Sequence, residues 1–134
     1  MLEMRALGAY DIYLGLMGGL AGDAATDLAL LEQVATSEHA QHRIDERRSL
    51  SSMGGTVEGT LRIESFALLT GIYTVHAHVC HGVSEQLLVD TASGEVLTDG
   101  APERELLIGF VMHPDGRMLV SQRLDVTEEE RTCP

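Results

Sequence analysis

The chain has 134 residues, 44% of them hydrophobic and 22% charged, which is the size and balance of one globular domain with a core of its own. Its formal net charge is −12, all nine basic residues are arginine, and there is no lysine. That balance repels nucleic-acid phosphate and anionic lipid head groups, so neither is expected as a partner, and lysine-based nucleophile or Schiff-base chemistry is excluded.

The first apolar positions are Leu2, Met4, Leu7, Tyr10, Tyr13, Leu14, Met17 and Leu20. Their steps of two to four predict a helix over this stretch, weakened at its end by Gly18, Gly19 and Gly22. The apolar run from Leu7 to Leu20 is split by Asp11 and is shorter than the ~20 residues that a membrane span needs. Glu3 and Arg5 cancel where a secretory leader would be basic. Read as it stands, the chain carries no targeting segment or membrane span and is cytoplasmic by default.

Asp23 to Asp27 reads as a loop, with Asp27 capping a second helix over Leu28–Ala35. Ser37 opens a third helix with Glu38 in its first turn, a stripe of Ala40, Ile44, Arg47 and Leu50, and an end at Met53. Gly54-Gly55 stops it. Arg43, Arg47 and Arg48, interleaved with Asp45 and Glu46, read as a solvated, salt-bridged face.

After Gly55 the period changes to two. Val57, Gly59, Leu61 and Ile63 alternate with charged and polar residues, as in one half-buried strand. Thr70-Gly71 is a turn, Ile72–Cys80 a second strand, and Gly82-Val83-Ser84 a break. Gln86–Asp90 is a third strand, turned by Ala92-Ser93-Gly94-Glu95 into Val96-Leu97. Asp99–Pro102 is a loop, and Glu103–His113 is a long strand with the apolar run Leu106–Met112. Pro114-Asp115-Gly116 turns it into a last strand, Arg117–Val126, in which Met118, Val120 and Gln122 alternate with Leu119, Ser121 and Arg123. One α+β domain over 1–134 follows: helices over about 2–53, packed on a curved, mostly antiparallel sheet over about 56–126, with an acidic tail over 127–134.

Few residues point to chemistry. His76, His78 and Cys80 share one face of the second strand, while Val75, Ala77 and Val79 take the other. A His-x-His pair can supply two metal ligands, with His81 as a third, yet the bland reading is a polar sheet face over an apolar one. His39 and His42 share a face of the third helix. There is no phosphate loop, dinucleotide fingerprint, Gly-x-Ser-x-Gly or Cys-x-x-Cys, so no cofactor is expected. The two cysteines, Cys80 and Cys133, allow one pairing, and the residues alone favour two free buried thiols.

Several strings taken together resemble a group of small actinobacterial and actinophage proteins. These are Ala9–Leu14, Leu31–Thr36 with its Ala-Thr step, Gly55–Gly59, Val75–Cys80 and Leu88–Val96. That group belongs to the nuclear-transport-factor-two-like superfamily, the cone fold of SnoaL-type cyclases and ketosteroid isomerases. The resemblance covers roughly residues 8–133. It implies a cone-like fold and a bond between Cys80 and a cysteine at the C-terminus, here Cys133. Such a bond would place the chain outside the cell or on a virion. An enzyme of this kind sets an Asp or His base in a deep apolar pocket with a Tyr or second acid as partner; the matching candidates here are Asp11, Tyr10, Tyr13, His76 and His78.

No catalytic set falls at fixed spacing, so the leading expectation is a non-enzymatic binding or structural accessory domain. Leu106–Met112 needs cover on both faces, which a second copy could supply by association through the sheet. The alternatives are an isomerase or cyclase using the cone interior, and a phage virion or surface component.

Overall fold

The computed structural model describes residues 2–20, 23–70, 75–82, 86–98 and 104–133. Helices α1 (Leu2–Gly18), α2 (Ala24–Leu31) and α3 (Ser37–Ser52) precede seven strands: β1 (Gly55–Gly59), β2 (Arg62–Thr70), β3 (Val75–Gly82), β4 (Gln86–Asp90), β5 (Val96–Thr98), β6 (Glu105–Met112) and β7 (Met118–Asp125). The class is α+β, with two antiparallel sheets in the orders β1-β4-β5 and β2-β3-β6-β7. Gly71, residues 72–74, the break at 83–84 and the loop at 99–102 lie outside the described residues.

Helix α1 buries Ala6, Ala9, Tyr10, Tyr13, Leu14 and Met17. Ala6, Tyr10, Tyr13, Leu14 and Met17 are spaced for one helical face, and they cover the sheet. Met4 and Leu7 fall on the other side and are exposed, so two members of the expected stripe do not belong to it. The helix stops where Gly18 passes the Thr60 side chain too closely for any Cβ.

Helix α2 begins one turn earlier than its expected start. Asp23 is the N-cap, accepting from the Ala25 N–H at 3.2 Å and the Thr26 hydroxyl at 2.9 Å. Asp27 is not a cap: it lies inside the helix and is buried. Thr36 caps α3. Its N–H donates to Val120 O at 2.9 Å, and the Val120 N–H donates to Val34 O at 2.8 Å. These bonds pin the junction of α2 and α3 to the free edge of β7, beside the parallel bridge of Ala35 and Val120.

The expected single strand after Gly55 is two strands in different sheets. Gly59 takes φ 83°, a left-handed conformation that only glycine adopts at little cost, and the chain swings there from the small sheet to the large one. The last strand also departs from simple alternation. Gly109 pairs with Gln122 but Phe110 pairs with Val120, so Ser121 is the extra residue of a bulge. Before the bulge Met118 and Val120 face the core; after it, Arg123 shares the inner face with its partner Ile108.

The core lies between the helices and the inner face of the large sheet. Its largest fully buried side chains are Tyr10, Leu31, Leu106, Ile108, His81, Val79 and Val120. Each aliphatic side chain so buried contributes roughly 1.5–3 kcal/mol. Two of the seven are polar at their tips, and that is where the site begins.

Candidate functional site

A line of ring side chains runs through the core. Tyr10 and Tyr13 lie on the buried face of α1, and their rings stack with centroids 5.7 Å apart. The Tyr10 hydroxyl shares a hydrogen bond of 2.7 Å with His81 Nε2, and the Tyr13 hydroxyl one of 2.9 Å with His39 Nε2. Strand β3 delivers His81 and helix α3 delivers His39, so the four rings bridge the sheet to both long helices. Burying such tips costs about 1–3 kcal/mol each when they are unpaired, and the pairs remove that cost. Tyr10→Phe therefore lowers stability by about 1–3 kcal/mol, a loss readable by urea unfolding. A variant as stable as the parent would show that this bond contributes nothing net.

The His39 end of the line is charged. Arg43, one turn along α3 from His39, is buried, and β7 brings Arg123 to the same place. Glu46 faces both arginines, at 3.3 Å from Arg43 and 3.5 Å from Arg123, and also takes His42 at 3.2 Å. Burial first, then the guanidinium charges of Arg43 and Arg123, lower the His39 pKa to about 4, so its ring is neutral at ordinary pH. Burial raises the Tyr13 pKa, against the pull of the same two arginines. The expectation of a solvated Arg43 is thus overturned. His39, Ala40, Arg43 and Ile44 form the buried face of α3, and Arg43 turns inward with them.

An open hollow of about 430 Å³ lies above this end, between α3 and β7, lined by His39, His42, Arg43, Glu46 and Arg123 among others. Deeper in, the space beside Tyr10, Tyr13, Leu14 and Met17 shrinks to about 20 Å³. A second hollow of about 240 Å³ lies between α2, α3 and β1, beside Asp27, Ile44 and Arg47.

The outer face of the large sheet holds the other cluster. Ala67, His78, Leu107 and Leu124 form one row across its four strands, and Leu69, His76, Gly109 and Gln122 the next. His76 Nε2 lies 3.4 Å from Gln122 Oε1. His78 Nε2 lies 2.6 Å from Glu105 Oε2. Glu105 is buried and also accepts the backbone N–H groups of Thr132 and Cys133, each at 2.9 Å. Burial works to raise the pKa of this carboxyl, but the bonds from Cys133, His78 and Thr132 outweigh it and hold it down to about 2. Beside it, Cys80 and Cys133 are joined in a disulfide with Cα atoms 5.8 Å apart. The acidic tail is therefore fastened twice, by a covalent bond and by one carboxylate.

The residues singled out in the sequence separate into three places. Asp11 is exposed. Tyr13 is in the core. His76 and His78 lie on the outer face with Cys80. They do not converge on one catalytic set. His81 cannot join His76 and His78 as a metal ligand, because strand alternation turns it to the inner face, where Tyr10 holds it. Glu105 went unrecognised: a lone acid heading an apolar strand has no signature until its partners are known. His39 and Arg43 were missed as a buried pair, although they stand one turn apart beside Ala40 and Ile44, a spacing that could have placed them on one buried face.

No family model matches the chain, and no curated protein matches it. Among solved structures it is similar to a de novo designed β-sheet protein determined by solution NMR, with 14% sequence identity over 92% of this chain and 86% of that one, at a TM-score of 0.39. No helix among the described residues is long and apolar enough to cross a membrane.

Proposed function

We propose that the chain is a non-enzymatic binding domain that works as a pair of identical subunits, joined through the outer face of its large sheet. The observation that carries this reading is the charge pattern of that face. Of the eight residues in its two middle rows, none is Asp, Glu, Arg or Lys, although 22% of the chain is charged. Glu105, the carboxylate that His78 meets, is buried. A chain of net charge −12 resists meeting its own copy, so a contact between copies has to fall where the surface is uncharged. Leu69, Val111 and Leu124 stand 53%, 49% and 41% exposed and supply the apolar area.

The space between the helices and the large sheet favours binding over catalysis. The resemblance to the nuclear-transport-factor-two-like superfamily brings with it an isomerase or cyclase reading, in which a substrate enters between helices and sheet. Beside Tyr10 and Tyr13, among the described residues, the space is about 20 Å³, room for a water molecule. Ligand pockets take roughly 300 Å³ or more. The larger hollow over His39 is lined by charges that already face one another through Glu46.

A disulfide persists in oxidising surroundings, so a secreted, surface or virion setting suits the chain. In a virion or surface component the same sheet contact would join neighbouring copies. Sedimentation equilibrium at micromolar concentration is expected to show a dimer. Leu124→Arg puts a like charge from each copy into the contact and is expected to give monomers that keep the parent's circular dichroism. A wild-type chain that sediments as a monomer throughout would sink the reading.

A further inference from the structure

We propose that reduction turns the tail fastening into a binding site for a borderline-soft divalent cation, zinc above all, held by His78, Cys80 and Cys133. A ring nitrogen of His78 and the two sulfurs lie within 4.8 Å of one another. The fold itself gathers them. His78 and Cys80 are alternate residues on one face of β3, and the end of the tail brings Cys133 to within 5.8 Å of Cys80, Cα to Cα.

The distances decide whether a metal could follow the disulfide. Tetrahedral zinc with bonds of ~2.3 Å to sulfur and ~2.0 Å to nitrogen sets its donors roughly 3.5–3.8 Å apart. Reaching that spacing takes shifts of about 1–2 Å, shared among three side chains. The tail segment carrying Cys133 is largely exposed at Arg131 and Thr132, so it is free of the packing that would resist such a shift. Two thiolates and one imidazole form a donor set that zinc takes with a fourth position left to water.

Glu105 supplies what a bare trio would lack. A metal-bound imidazole ordinarily carries a carboxylate or carbonyl on its other nitrogen, which fixes the ring and makes it a better donor. Glu105 engages His78 Nε2 already, so a metal taking Nδ1 would meet a ring that this carboxylate holds. Its bonds to the Thr132 and Cys133 N–H groups do not pass through sulfur, so they continue to hold the tail in place after the disulfide is cut.

The chemistry balances with one outside reagent, a dithiol reductant. It gives two electrons and two protons to the Cys80–Cys133 bond and is itself oxidised to a disulfide. The metal then displaces the two thiol protons to solvent as it takes up both thiolates. The disulfide form of the same reagent reverses this: it takes two electrons back from the thiolates, the Cys80–Cys133 bond re-forms, and the metal is released because disulfide sulfurs carry no thiolate charge. The tail is thereby fastened in both redox states, by a covalent bond in one and by a metal in the other.

Cobalt(II) is the probe, because thiolate ligation gives it a charge-transfer absorption that zinc abolishes by displacement. The reduced full chain is expected to take up one equivalent of cobalt with that absorption, and the oxidised chain none. His78→Gln is expected to weaken binding roughly 10–100-fold, and Glu105→Gln to weaken it less. Cys133→Ser is expected to lose the two-thiolate spectrum. Far-UV circular dichroism accompanies each titration. A reduced chain without the absorption at stoichiometric cobalt overturns the proposal, whether or not it stays folded. So does an affinity untouched by His78→Gln, which would leave two thiols binding on their own.

Discussion

Cutting the Cys80–Cys133 bond is expected to cost the folded chain up to about 4 kcal/mol, the largest single effect that one covalent change can have here. The bond closes a loop with a sequence separation of 53, and in the chain-entropy description the unfolded ensemble loses the freedom of that loop while the native state loses nothing. What the bond fastens also matters. The tail carries Glu128, Glu129 and Glu130 in a short exposed turn, and it adds little apolar surface to the core. Without the disulfide its main anchor is Glu105, whose bonds to Thr132 and Cys133 are charge-assisted and contribute about 1.5–3 kcal/mol each where they form fully. Urea unfolding of the oxidised chain, the reduced chain and Cys80→Ser/Cys133→Ser gives the measurement, with a chelator present so that no metal replaces the bond. The reduced chain and the double variant should unfold at the same lowered midpoint. Equal midpoints for the oxidised and reduced chains would show that the loop is already restrained without the bond.

The fold was largely legible in the sequence because its elements differ in period. Helical spacing over Ala6–Met17 gives way to alternation on β3, and the Gly54-Gly55 stop marks the change of layer. What escaped was whatever depends on a partner distant in sequence. Asp27 had the composition of a cap, but Asp23 with Thr26 formed a better one four residues earlier. Gly59 looked like a step in an alternating strand, and its positive φ, which splits that strand between two sheets, has no local sign. The bulge at Ser121 is of the same kind. Alternation alone puts Gln122 inside and Arg123 outside, and one extra residue exchanges them. The meeting of Arg123 with Glu46 thus depends on a register that the sequence pattern could not show. The disulfide, in contrast, runs against the residues alone, which favour free thiols, and agrees with the resemblance.

That buried charge makes a second prediction, on acid stability. His39 touches Tyr13 from α1, stands among Arg43, His42 and Glu46 on its own helix, and meets Arg123 from β7. Only Glu46 among these favours a charged imidazole; burial and the two guanidiniums oppose it. The unfolded chain takes a proton on His39 near the ordinary histidine value of 6.5, whereas the folded chain takes it only near 4. Between those values the unfolded state binds more protons, so stability falls as pH falls. The contribution is fully present above about pH 6.5, drains away through the interval, and is lost below about pH 4, a total of about 3 kcal/mol. Glu105 and Asp115, each held down to about 2, withdraw their own contributions only in more acid solution, so they leave the upper part of the interval to histidine. Urea midpoints of the wild type should therefore decline from pH 6.5 toward pH 4.5, and His39→Gln should decline much less. The substitution keeps a polar side chain opposite the Tyr13 hydroxyl, so its stability at neutral pH should drop by about 1–2 kcal/mol and not collapse. Parallel pH profiles for the two chains would mean that His39 protonates as easily folded as unfolded, and that the arginines beside it are screened by Glu46 more completely than their geometry indicates.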